Sequence, residues 1–126
     1  MKFDDGTYEI IGCAMKVHSA LGPGLRKKPY KNALLIALQQ AGIAAVPRQP
    51  YPIHFEGEVV GDCVPDITAG DVLVEIKSTP AIGDGEVLQM LNYLRISERE
   101  VGLLINFGGE KLGFQRVAPR ESYYDE

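Results

Sequence analysis

The sequence predicts an α/β fold in which helices cover a central sheet. Three observations carry that prediction. The first forty residues place apolar side chains at helical spacing. From about Ala45 the pattern turns to short extended runs broken by Gly and Pro. One further helical segment returns near Gly85 to Arg95, which gives the order α-α-β-β-β-α-β-β. A sheet flanked by helices is the layering that buries the apolar faces of such a chain.

The elements follow in order. Ile10, Ala14, Val17 and Leu21 form an apolar stripe at helical spacing, so a helix is expected from about Thr7 to Leu21. Gly22-Pro23-Gly24 ends it. A second helix is expected from about Lys28 to Gln40, with Pro29 in its first turn and Gly42 as its stop. Tyr30, Ala33, Leu34, Ala37, Leu38 and Ala41 make its buried face. Ala45 to Phe55 reads as extended, and Pro47, Pro50 and Pro52 mark it as an edge or irregular lead-in. Phe55-Glu56-Gly57-Glu58 is a turn. Val59 to Ile67 and Val72 to Lys77 read as a strand pair joined through Thr68-Ala69-Gly70-Asp71. A third helix spans Gly85 to Arg95, with Val87, Leu91 and Leu94 inward. Strands at Val101 to Asn106 and Leu112 to Val117 follow, and Pro119 to Glu126 reads as a frayed tail.

At 126 residues the chain is expected to form one domain with a core of its own. Its 45% hydrophobic and 24% charged residues are ordinary globular values and argue against disorder. No apolar run is long enough to span a bilayer, and MKFDDGTYEI is not a signal peptide. Cys13 and Cys63 stand far apart without metal-ligand spacing, so a reduced, cytoplasmic protein is expected. A net charge of −4 argues against a protein that coats nucleic acid nonspecifically. It leaves room for an enzyme that meets phosphates locally through a metal ion.

The informative segment runs from Pro65 to Lys77. Glu75 and Lys77, two apart on a strand, share one face, while Val72, Val74 and Ile76 share the other. With Ala69-Gly70 as a two-residue hairpin loop, Asp66 lies opposite Leu73 and on the face of Glu75. The two acids are then diagonal neighbours, roughly 7–8 Å apart at the backbone. A loop one residue longer would turn Asp66 to the wrong face. Carboxylates at that spacing can converge on one hard cation. Phosphodiester hydrolysis is the chemistry that uses such a set: a divalent ion activates water and neutralises the phosphate. A lysine beside it orients the water or stabilises the developing charge. Spacing alone leaves a second reading open, an amphipathic strand with a solvated ion-pair face.

Asp66 followed by Glu75-Ile76-Lys77 resembles the motif of the PD-(D/E)XK nuclease superfamily. From about Tyr8 to Val117 the chain is similar to the small bacterial GxxExxY proteins within it. The shared stretches include Val17-His18, Leu21-Gly22-Pro23-Gly24-Leu25, Pro29-Tyr30, Asn32-Ala33-Leu34, Val60-Gly61-Asp62 and Val64-Pro65-Asp66. Glu75-Ile76-Lys77, Gln89 through Leu94 and Gly102 through Phe107 complete them. The resemblance implies a three-layer α/β/α fold with a mixed central sheet, like that of restriction endonucleases. It implies Mg²⁺ or Mn²⁺ held by Asp66, Glu75 and the main-chain carbonyl of Ile76, and a water-orienting Lys77. It also implies that Gln89 and Tyr93 form a Gln-x-x-x-Tyr element that reaches phosphate. Positions i and i+4 do share one helical face, although a half-buried Tyr packed on the sheet fits the same spacing. Nucleic acid, DNA before RNA, is the implied partner, and a homodimer would suit cutting of both strands.

One departure stands out. Three residues after Gly24 the name motif has a glutamate, and here the residue is Lys27. Pointing into the pocket, its ammonium could take the cation's place beside Asp66 or Glu75 and lower metal affinity by several kcal/mol. Pointing outward, it only enriches the basic run Arg26-Lys27-Lys28 with Lys31. That run reads either as a phosphate contact or as a solvated helix start. It sits at a helix N-terminus, where cations are disfavoured. His18 is a further candidate near the site, or a satisfied helix-end histidine. Asp62 shares the parity of Asp66 if the strand is regular. Three functions therefore compete: a divalent-metal nuclease, a catalytically degenerate module of that fold that binds nucleic acid or a protein, and a subunit of a larger defence or repair assembly in which substrate recognition is supplied elsewhere.

Overall fold

A computed structural model describes residues 5–119 of the chain. Among the described residues the helices α1 (Thr7–Leu21), α2 (Lys27–Gln40) and α3 (Asp84–Ser97) flank seven strands. The strands are β1 (Val46–Pro47), β2 (Tyr51–Phe55), β3 (Glu58–Cys63), β4 (Ile67–Ala69), β5 (Val72–Lys77), β6 (Val101–Asn106) and β7 (Gly113–Val117). A five-stranded mixed sheet has the order β1-β4-β5-β6-β7, with β5 and β6 parallel and the other pairs antiparallel. The hairpin β2–β3 forms a separate two-stranded sheet.

Apolar alternation along β5 builds two cores. Val72, Val74 and Ile76 join Leu103, Ile105 and the inner faces of α1 and α2. Leu73 and Leu104 join Met90 and Leu94 of α3, with Tyr51 and Cys63 of the hairpin. The sheet is thus covered on both faces, as the parallel β5–β6 pair at its centre requires. Gly102 lets α3 come close: a Cβ there would stand 2.3 Å from Cγ of Met90.

The helices lie within two residues of their expected bounds. Gly22 and Gly24 both take positive φ, 73° and 95°, in the break between α1 and α2. Two strand expectations are corrected. Ala45 to Phe55 is not one extended run, because Arg48 takes φ 51° and separates β1 from β2. Val59 to Ile67 is not one strand either. It divides at Val64-Pro65-Asp66, and its halves pair with different partners, β3 with β2 and β4 with β5. Pro65 lacks the N–H that a continuous ladder would need. The tail expected beyond Pro119 lies outside the described residues. Both cysteines are free, Cys63 buried and Cys13 half-buried. Among the described residues no helix is long and apolar enough to cross a membrane.

Candidate active site

The site begins with the β4–β5 hairpin. Ala69 pairs with Val72, so the loop is Gly70-Asp71, one residue later than expected. Gly70 has φ 63°, the left-handed value that suits the first position of a tight hairpin loop. The shift preserves parity and improves the alignment. Pairing runs Thr68 to Leu73 and Ile67 to Val74, so the next step brings Asp66 level with Glu75, not diagonal to it.

Regular pairing stops there, and side chains continue it. The Ile76 N–H donates to Oδ2 of Asp66 at 2.8 Å, and the Asp66 N–H donates to Oε1 of Glu75 at 3.0 Å. Each acid is thereby fixed by the other's segment. Both are buried, Asp66 3% and Glu75 5% exposed. Two carboxylates in so dry a place need positive charge. Lys27, the first residue of α2, supplies it: Nζ stands 2.9 Å from Oδ2 of Asp66 and 3.7 Å from Oε2 of Glu75. Of the two orientations open to Lys27 in the sequence, the structure has the inward one. Burial, followed by the charge of Asp66, pushes the Glu75 carboxyl above its ordinary range. Lys27 and Lys77 pull it the other way.

Lys27 is delivered by a braced loop. The Tyr30 hydroxyl donates to the Gly22 carbonyl at 2.5 Å and accepts from the Leu25 N–H at 3.0 Å. Its ring stacks on Phe107 at 4.5 Å. The Ser78 hydroxyl, one residue past Lys77, donates to the Leu25 carbonyl at 2.6 Å. A second brace holds the segment after β5. The Asn106 side chain accepts from the N–H groups of Thr79 and Gly108 and donates to the Thr79 carbonyl. Residue type and periodicity mark Tyr30 only as core and give Asn106 and Ser78 no role. A buried Asn closing an apolar strand before Phe-Gly-Gly was the available signal.

The other expected residues divide into two groups. Tyr93 on α3 is half-buried against the hairpin-side core, and the Gln89 amide donates to its hydroxyl at 3.1 Å. Burial raises the Tyr93 phenol's pKa, and the negative charges of Glu75, Cys63 and Asp66 add to that rise. Gln89 and Tyr93 line a cavity of about 660 Å³ between α3 and the hairpin, with Ile53, Asp62 and Cys63 on its wall. Asp62 thus sits on this wall, on exposed β3, because the break at Pro65 cancels the parity argument that tied it to Asp66. His18 is elsewhere engaged: its Nε2 is 2.9 Å from the Gly109 carbonyl, and its ring lies 6.1 Å from that of Phe107. Arg26 and Lys28 are exposed beside Lys27.

Hard carboxylate oxygens suit a divalent cation, and Asp66, Glu75 and the Ile76 carbonyl are the groups that could hold one. Among the described residues no group of three or more His, Cys, Asp and Glu side chains is arranged for a metal. The acids form a pair, and Lys27 occupies the approach to it. The donor chemistry fits a divalent ion once that half-exposed side chain turns aside.

A family model for the PD-(D/E)XK nuclease superfamily matches residues 4–117. A search of curated proteins finds no match to the sequence. Among solved structures, the chain is similar to the crystal structure of SSO0001, with a TM-score of 0.56 and 15% identity. That match covers 91% of this chain and 59% of the other, so the chain spans little more than half of that protein's length. It is also similar to an alkaline exonuclease (LHK-Exo) from Laribacter hongkongensis, with a TM-score of 0.53 and 11% identity. There the match covers 94% of this chain and 71% of the other. At these identities the likeness is one of fold.

Proposed function

Since the chain belongs to the PD-(D/E)XK nuclease superfamily, we propose that it hydrolyses phosphodiester bonds in DNA with the help of Mg²⁺ or Mn²⁺. The observation that carries this reading is the convergence of Asp66 and Glu75, with Glu75 accepting from the Asp66 N–H and Asp66 accepting from the Ile76 N–H. When bound, a divalent ion supplies positive charge against the phosphate and activates water for attack.

The chain's own residues do the rest. Asp66, Glu75 and the Ile76 carbonyl would hold the ion. Lys77, on the face of Glu75, orients the attacking water and stabilises negative charge on the phosphate. The Tyr93 phenol is protonated at neutral pH, as any tyrosine is, so it can donate to a phosphate oxygen. Gln89 holds that hydroxyl in place. Arg26 and Lys28 contact the backbone from the exposed start of α2. A homodimer would set two such sites against two strands. The narrower placement among GxxExxY proteins rests on the ordered stretches shared from Val17-His18 to Gly102 through Phe107, Gly24 and Tyr30 among them, and the bracing by Tyr30 gives that tyrosine a structural reason. A cytoplasmic location completes the reading.

The test is incubation of DNA and RNA of one sequence with the protein, in Mg²⁺ or Mn²⁺ and again with a chelator. Cleavage of DNA that the chelator abolishes is expected. Cleavage that survives the chelator, or that is confined to RNA, overturns the proposal. One observation favours a second reading: Lys27 already pairs with both acids. On that reading the chain is a degenerate module that binds nucleic acid or a protein without cutting, and it would retain DNA without cleaving it.

A further inference from the structure

We propose that Lys27 is a latch that alternates between two anionic partners. Without substrate it caps Asp66 and Glu75. When the nucleic-acid backbone arrives, the ammonium moves to a phosphate and leaves the carboxylates to the divalent ion. This rests on the nuclease reading and adds to it an order of events and a residue that touches substrate.

Three observations support it. The ammonium lies within 2.9 Å of Asp66 and 3.7 Å of Glu75, close enough to exclude a second cation from the same oxygens. Its side chain is still 43% exposed, so it can reach solvent or phosphate without unfolding anything. The backbone behind it is fixed by the Tyr30 and Ser78 hydrogen bonds to the Gly22–Leu25 turn. Only rotations about the lysine stem are needed.

The position is also strained electrostatically. Lys27 opens a helix with no acid in its first turn, between Arg26 and Lys28. Helix dipole and neighbouring cations both disfavour an ammonium there, and the two carboxylates offset this. A divalent ion would withdraw that compensation, and a phosphate would restore it. Metal and nucleic acid then bind with positive linkage, which is reciprocal by necessity.

The experiment is calorimetric titration of Mn²⁺ into the parent, Lys27→Met and Lys27→Arg, alone and with a short phosphorothioate DNA duplex. That duplex resists hydrolysis and keeps its backbone charge. Without duplex, Lys27→Met should bind Mn²⁺ about tenfold more tightly than the parent. Duplex should tighten Mn²⁺ binding by the parent by a similar factor, and by Lys27→Met much less. Lys27→Arg should follow the parent. If parent and Lys27→Met bind Mn²⁺ equally without duplex, the latch is wrong and the nuclease reading stands. If none of the three binds Mn²⁺ under either condition, the nuclease reading falls and takes the latch with it. Should Lys27→Met fail to fold, a parent affinity unmoved by duplex still overturns the latch.

Discussion

Lys27 Nζ stands 2.9 Å from Asp66 Oδ2, so a lysine at the start of α2 neutralises a buried acid just before β4. Lys27→Ala removes the ammonium that faces both buried carboxylates and leaves Lys77 as the cation that still acts on Glu75. In metal-free buffer it should destabilise the fold by about 1–2 kcal/mol, less than a fully buried pair because the ammonium is half-exposed. Urea denaturation measures it. Equal midpoints for parent and variant would mean that the pair contributes nothing.

Glu75 sets a pH dependence. Its carboxyl is held above the ordinary 4.5 in the folded chain, first by burial and then by Asp66. Below that value it is protonated whether the chain is folded or not. As pH rises, the unfolded chain ionises first, so stability falls until the folded carboxyl has ionised as well. Glu75→Gln removes this penalty and keeps an oxygen to accept from Asp66. Its stability relative to the parent should rise through that window and then level off. Urea titrations from about pH 4 to about pH 8 follow this. A difference that is flat or falls with pH contradicts the assignment.

Gly108→Ala probes the brace behind Lys77. A Cβ there would stand 2.3 Å from the Thr79 carbonyl oxygen and 2.6 Å from its nitrogen. Backbone has to move, and the Asn106 hydrogen bonds to Thr79 and Gly108 move with it. A loss of about 2–3 kcal/mol is expected in thermal or urea unfolding. A change below about 0.5 kcal/mol would show that the two segments are not packed as described.

Tyr30→Phe keeps the stacking on Phe107 and removes the hydroxyl. The Gly22 carbonyl and Leu25 N–H lose their partner, at a cost of about 1 kcal/mol, since this turn is partly open to water. Hydrogen exchange at the Leu25 amide should rise in the variant. Unchanged protection there would remove Tyr30 from the positioning of Lys27.

Much of this was legible in the sequence because it depends on local periodicity. Ile10 to Val17 and Val101 to Asn106 report one face or one buried strand directly, whereas Leu21, expected on the same stripe, is exposed at the end of α1. The pairing of Asp66 with Glu75 was legible for a more robust reason. A two-residue hairpin loop preserves parity wherever it falls, so misplacing it by one residue left both acids on one face. The split at Pro65 was missed because strand-like composition does not say which neighbour a strand pairs with. The inward turn of Lys27 was open for a similar reason. It depends on the Gly22–Leu25 turn, which a tyrosine eight residues on and a serine 53 residues on hold in place.

The most direct test of the central claim is nicking of supercoiled plasmid in Mg²⁺ or Mn²⁺ by the parent and by Asp66→Ala, prepared identically. Cleavage by the parent is expected, with a fall of about a hundredfold or more, to background, for the variant. Cleavage at equal rates by both proteins would contradict it, because the Asp66–Glu75 pair would then not be where the bond is cut.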